Sequence, residues 1–221
     1  MSDTIEPELN THAERTGCLL ELDAIRRVKV LSRGAYDHLK SAPGDFALLQ
    51  GYEAAVVDEA WTVEGESRAT FTLLAILLDD VADYGPEMGG MPDYQEVHDL
   101  CAVGLVTLPM DLGHVVMTPE RLADKIADLF QHRDIDFEDY PLFSSRYYVT
   151  ADDATLFRDN VPRAMLEAIE ACPGFHLEIL GNRLMARRPQ VWTDTEAVDL
   201  AELCLGIAES LTRPAEPAET T

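Results

Sequence analysis

Apolar residues recur at Leu19, Leu22, Ile25, Val28 and Leu31, every third position. That spacing fits one face of a helix and predicts one over residues 18–39, ended by Pro43 and Gly44, which cannot continue it. Further on the period changes to two. Residues 46–63 and 68–78 read as an antiparallel pair: Ala55, Val57, Ala60, Trp61 and Val63 suit a strand, the Glu64-Gly65-Glu66-Ser67 stretch suits a turn, and Ala69, Phe71, Leu73, Ala75 and Leu77 alternate with Thr70 and Thr72. From Leu73 onward both sides of the second strand are apolar, so helices should cover the sheet. The run from Cys101 to Leu108 reads as another strand.

Thr118-Pro119-Glu120 carries the marks of a helix start: a hydroxyl cap, proline at the first helical position and an acid against the positive end of the dipole. Leu122, Ile126, Leu129 and Phe130 follow as its apolar stripe. Residues 143–150, with Phe143, Tyr147, Tyr148 and Val149, read as a strand. Asp152 or Asp153 caps a helix through Leu156 and Phe157, and Pro162 resets the chain into a second helix with Met165, Leu166 and Ile169. A hairpin over 175–188 turns at Gly181-Asn182, which sets Ile179 opposite Leu184 and Leu177 opposite Ala186 on a core side. Glu178 then lies diagonal to Arg183 and Arg187 on the other side, read as the solvent side. Thr193 and Glu196 form a capping box for a last helix carrying Leu200, Leu203, Cys204, Ile207 and Leu211.

The pattern predicts an α+β fold, an antiparallel sheet covered by helices with a capped C-terminal helix. It places a single domain at 16–212, between a disordered N-terminus at 1–15 and a disordered tail at 213–221. Residues 84–93, with three Gly and two Pro, read as a loop.

Charge narrows the function more than size does. Among 221 residues, 41 Asp and Glu face 17 Lys and Arg, a formal net charge of −24. Residues 52–140 alone hold 20 acids against 4 bases. Nucleic-acid binding and attachment to anionic lipid both need a basic face, and this chain has none. The first fifteen residues are polar and lack the apolar centre of a secretory signal, and the longest apolar run, 73–78, is far short of the about 18 residues that span a membrane. The expected location is the cytoplasm. Cys18, Cys101, Cys172 and Cys204 are mutually distant and read as reduced thiols. A local basic stretch, Arg26, Arg27, Lys29 and Arg33, is suited to pair with the acidic segment of the same molecule or of a second copy.

The densest set of potential metal ligands is His132, Asp134, Asp136 and Glu138, which an extended segment would bring to one side. It is no EF-hand: counted from Asp134, position six is Asp139 where glycine is needed, and position twelve is Ser145 where a bidentate carboxylate is needed. Ile135 and Phe137 alternate with these acids, so a half-buried segment with its acids in water explains the same spacing. Asp79, Asp80 and Asp83 could clamp Mg²⁺ at a strand end, although no glycine-rich phosphate loop accompanies them. His114 and His176 have acid–base chemistry but no Ser or Cys partner at motif spacing. Tyr140, Phe143, Tyr147 and Tyr148 suit either a ligand cleft or a core.

Residues 134–149, followed by Ala151-Asp152-Asp153 and the Leu156-Phe157 helix, resemble an uncharacterised bacterial protein family, a domain of unknown function. Its pattern runs Asp-Ile-Asp-Phe, proline, Phe-Ser, tyrosine, then an acidic turn and a helix. Leu108-Pro109 and Thr118-Pro119-Glu120-Arg121 resemble further elements of that family, and the likeness covers residues 46–190. It implies no activity. Family members with N-terminal membrane spans differ from this chain, which also carries the Gly/Pro-rich insertion at 84–93.

The expected function is that of a non-catalytic acidic binding or adaptor protein, without a cofactor, acting through an interface with a protein partner that is plausibly basic; a homo-oligomer fits too. Two alternatives come from other classes. One is a metal-assisted hydrolase using the 132–139 acids. The other is an acidic inhibitor, an immunity or anti-defence protein, that mimics nucleic acid toward a basic partner.

Overall fold

Two-residue periodicity dominates the molecule. The computed structural model describes residues 27–30, 45–50, 54–65, 68–79, 98–119, 135–188 and 193–211. The strands are β1 (Arg27–Val30), β2 (Ala54–Glu64), β3 (Thr70–Asp79), β4 (His98–Thr107), β5 (His114–Pro119), β6 (Tyr147–Ala151), β7 (His176–Leu180) and β8 (Arg183–Arg187). The helices are α1 (Pro141–Ser144), α2 (Ala154–Asn160), α3 (Arg163–Ala171) and α4 (Asp194–Ser210). All eight strands join one sheet in the order β1-β2-β3-β4-β8-β7-β5-β6, and every pairing is antiparallel. The α+β fold expected from the sequence is therefore present.

The β7–β8 hairpin has the register read from its sequence, Ile179 opposite Leu184 and Leu177 opposite Ala186. Gly181 supplies the positive φ of 65° that its two-residue turn demands at the first position. The hairpin wedges between β4 and β5, and the link joining those strands wraps its tip: Leu108 N–H donates to Asn182 O, Leu112 N–H to Gly181 O and Gly181 N–H to Gly113 O.

One face of the sheet, the outer face, is covered by helices. Leu200, Leu203, Cys204 and Ile207 of α4 pack there with Leu73, Ala75, Ala102 and Val106. At the β6 end Phe137, Phe143 and Phe157 meet edge to face at 5.5 and 5.9 Å, and Phe143 stacks on Tyr147 at 5.3 Å. The helix starts expected at Asp153 and Thr193 are present, but the Thr193–Glu196 capping box is half formed, because the Glu196 side chain turns to Arg188. Asp153 accepts from Thr155 and Leu156 N–H at the start of α2, Pro162 separates α2 from α3, and Thr193 Oγ1 accepts from Glu196 N–H at the start of α4.

Four expectations are corrected. The strand expected over 46–63 does not reach back to its start: Ala47–Leu49 form a 3-10 turn, with Phe46 and Leu49 packed onto the sheet face, and the strand begins at Ala54. The helix over 18–39 does not hold at residues 27–30, where Arg-Val-Lys-Val forms β1 and pairs with residues 61–64; its own alternation of charged and β-branched residues favours the strand once β2 offers an edge. Thr118 and Pro119 do not start a helix but end β5, opposite Tyr148 and Tyr147, because pairing with β6, in a strand that β7 flanks up to Met117, outweighs a local cap signal. Residues 143–150 are split, with Pro141 opening α1 and the strand starting only at Tyr147. The remainder of the 18–39 helix, the loop at 84–93, the stripe from Leu122 to Phe130, and the termini at 1–15 and 213–221 lie outside the described residues.

Candidate functional site

Alternation along β7, His-Leu-Glu-Ile-Leu, sends Leu177 and Ile179 to the helix-covered face and His176 and Glu178 to the other, the inner face. That second side is not solvated, contrary to the reading of the hairpin. Glu178 is fully buried, as are Met185 at 0% and Arg187 at 5% exposure. The reason lies 130 residues earlier. Residues 45–50 run across this face around a single 3-10 turn, Ala47–Leu49, with Phe46 and Leu49 buried among Leu74, Ile76, Leu78, Cys101, Val103 and Met185. The hairpin sequence alone cannot show that another segment covers it.

The register places five buried polar side chains together on this inner face: Thr118, Thr150, His176, Glu178 and Arg187. Glu196 of α4 is the only other buried polar side chain among the described residues. Glu178 takes its partners from outside this set. Ala47 N–H donates to its Oε1 and Leu48 N–H to its Oε2, both at 2.8 Å, and His114 Nε2 lies 2.8 Å from Oε1. Three donors thus surround an acceptor-only group, as burial of a carboxylate requires. The other ring nitrogen of His114 lies 3.9 Å from the exposed Asp152 carboxylate.

Beside this set, Arg183 of β8 reaches the same covering segment. Its guanidinium donates to Asp45 at 2.8 Å and stands 5.4 Å from the centre of the Phe46 ring. Two rungs along, His176 faces Arg187 across the β7–β8 pair. Burial, and then the Arg187 charge, push the imidazole down to about 4, so it is neutral near physiological pH. Its Nε2 and the Thr118 hydroxyl are buried without a hydrogen-bond partner.

A second polar cluster ties the hairpin to α4. Arg188 donates to Glu196 at 3.1 Å, to Asp199 at 2.8 Å and to the Pro173 carbonyl at 3.2 Å, and stacks 4.0 Å over the Phe175 ring. Burial raises the Glu196 carboxyl above its usual range against the opposing pull of Arg188. Glu196 therefore reaches Arg188, and its backbone N–H alone completes the Thr193 cap.

The sequence-predicted ligands are not brought to these clusters. Ile135 and Phe137 are buried while Asp136 and Glu138 are exposed, so the alternation read from the sequence is present in this segment, and Ile135 N–H donates to Val149 O at 2.8 Å. His132 and Asp134 lie outside the described residues, as do Asp80 and Asp83; Asp79 ends β3. No group of three His, Cys, Asp or Glu side chains converges as metal ligands among the described residues. Phe143 and Tyr147 belong to the core, and burial pushes the Tyr147 phenol up to about 12 while its oxygen accepts from Gly174 N–H. Cys101 and Cys204 are buried thiols, and Cys172 is half-buried just past α3.

Alternation marked Glu178 as polar among apolar neighbours, but nothing in the sequence connects it to residues 45–50 or to His114. No protein-family model, curated protein or solved structure matches the chain.

Proposed function

We propose that this protein is a non-catalytic binding protein that engages a basic protein partner through an acidic outer surface. The observation that carries the reading is the exposure of all six acids between residues 135 and 160: Asp136, Glu138, Asp139, Asp152, Asp153 and Asp159. The same stretch of chain carries the only two large apolar side chains exposed among the described residues, Leu142 at 56% and Leu156 at 37%. Acids interspersed with exposed leucines combine long-range attraction with a small area to bury on contact. The rings of Phe137, Phe143 and Phe157 pack together beneath this stretch.

No helix among the described residues is long and apolar enough to cross a membrane.

The test is a triple variant, Asp136→Lys, Glu138→Lys and Leu142→Ser, whose side chains are all exposed. Affinity capture with the wild type at low salt should retain a partner that high salt releases and that the variant does not hold, while the two proteins keep the same circular dichroism. Equal capture by both would overturn the reading. Calorimetric heat on adding Mg²⁺, Mn²⁺, Ca²⁺ or Zn²⁺ to the wild type, lost in the variant, would move it to metal-assisted hydrolysis.

A further inference from the structure

Residues 45–50 form no ladder with a strand. Within them, every hydrogen bond to the sheet is made to a side chain, either the Glu178 carboxylate or the Arg183 guanidinium. Their own backbone bonds, Leu49 N–H to Phe46 O and Gln50 N–H to Ala47 O, are local. The apolar hold is two side chains deep, Phe46 and Leu49.

Each contact reads one feature of the segment. Arg183 reads the acid of Asp45 and covers the aromatic ring of Phe46. The buried carboxylate reads two successive backbone N–H groups, those of Ala47 and Leu48, with His114 fixing the position of Oε1. Leu74, Ile76, Val103 and Met185 belong to the apolar cluster that receives Phe46 and Leu49. Side-chain capture of a short segment by a charged end, two amides and two apolar anchors is how a groove recognises a peptide.

We propose that the inner face around Glu178 is a peptide-docking site, occupied in cis by residues 45–50 and open to a partner segment of the same pattern. That pattern is an acid, an aromatic residue, two residues other than proline, and leucine. Proline is excluded at the two middle positions because it has no N–H for Glu178 to accept. The resident segment holds the site shut, and a partner binds by displacing it. The inference stands apart from the acidic outer surface, which it meets only where Asp152 lies near His114, since its partner segment is itself acidic at one end and is held by Glu178 and Arg183.

The probe is a labelled synthetic peptide of residues 45–50, Asp-Phe-Ala-Leu-Leu-Gln, titrated into the full chain. Phe46→Ala weakens the resident segment and leaves a vacancy for the peptide's own phenylalanine. It should bind the peptide about tenfold or more tighter than the wild type does, as a shift of the closed state toward the open one requires. Adding Glu178→Gln should abolish binding, and a peptide with proline at both middle positions should not bind. Where Phe46→Ala fails to fold, Asp45→Ala serves, as it removes only the ion pair of a half-exposed carboxylate. A folded variant that does not bind the peptide, or binds it equally with Glu178→Gln, overturns the proposal. Amide exchange gives an independent reading in the wild type. Ala47 and Leu48 should exchange well ahead of Leu177 and Ile179, and exchange in step with β7 would show that the segment never opens by itself.

Discussion

His176 shows what a single buried side chain can impose on the pH response. Its imidazole is neutral in the folded protein down to about 4, against 6.5 in an open chain. Above the open-chain value neither state carries the proton, so stability is complete there. As pH falls from 6.5 toward 4 the unfolded chain gains a proton that the folded one refuses, and stability is lost progressively through that window. The loss amounts to about 3 kcal/mol at the acid end. Denaturant unfolding at several pH values should show a shallower acid decline for His176→Gln than for the wild type, and parallel curves would refute the assignment. At this scale the sequence was legible in part. Alternation separated Glu178 from Leu177 and Ile179, but Glu178, Arg183 and Arg187 on one side of a hairpin looked like a wet surface. The burial of Glu178 depends on a segment more than a hundred positions away, and no local pattern records that.

Elements were legible wherever local chemistry and tertiary pairing agreed. Asp153, Pro162 and Thr193 mark helix boundaries because a cap needs only its own neighbours. Thr118-Pro119 carried an equally good local signal and lost, since both residues continue the β5 ladder onto Tyr148 and Tyr147 of β6, just past the part of β5 held between β6 and β7. Arg27–Val30 was masked by a helical spacing of leucines on either side of it. The contact between β4 and α4 offers a test at this level. A Cβ at Gly104 would overlap Cys204 Sγ, with Leu200 Cδ1 only 3.3 Å away, so the helix sits against bare backbone there. Gly104→Ala should destabilise the protein by about 1–3 kcal/mol, the usual range for overpacking a tight core. Pairing it with Cys204→Ala should recover part of the loss in thermal melts, and no recovery would show that the strain lies elsewhere.

Across the whole molecule the excess of acids sets the response to salt. A net charge of −24 is repulsive at every separation within a Debye length, while exposed pairs such as Arg163–Asp139, at 3.6 Å with both side chains more than three-quarters exposed, contribute little. Raising ionic strength should therefore raise the melting temperature, chiefly in the range where the screening length falls from about 30 Å to about 8 Å. A melting temperature that falls with salt would mean that attractive pairs outweigh the repulsion. The overall α+β architecture was readable from periods of two and of 3.6 residues, but the strand order was not, because it depends on which hairpin inserts where.

That insertion has a consequence for synthesis. Strands β4 and β5 follow one another in the chain, yet the hairpin of residues 176–187 separates them in the sheet. As the polypeptide leaves the ribosome, its earlier strands must wait for a late-arriving wedge before the two halves can be joined. Until then the Glu178 carboxylate that tethers residues 45–50 has not been made, and those residues would spend that interval without their anchor.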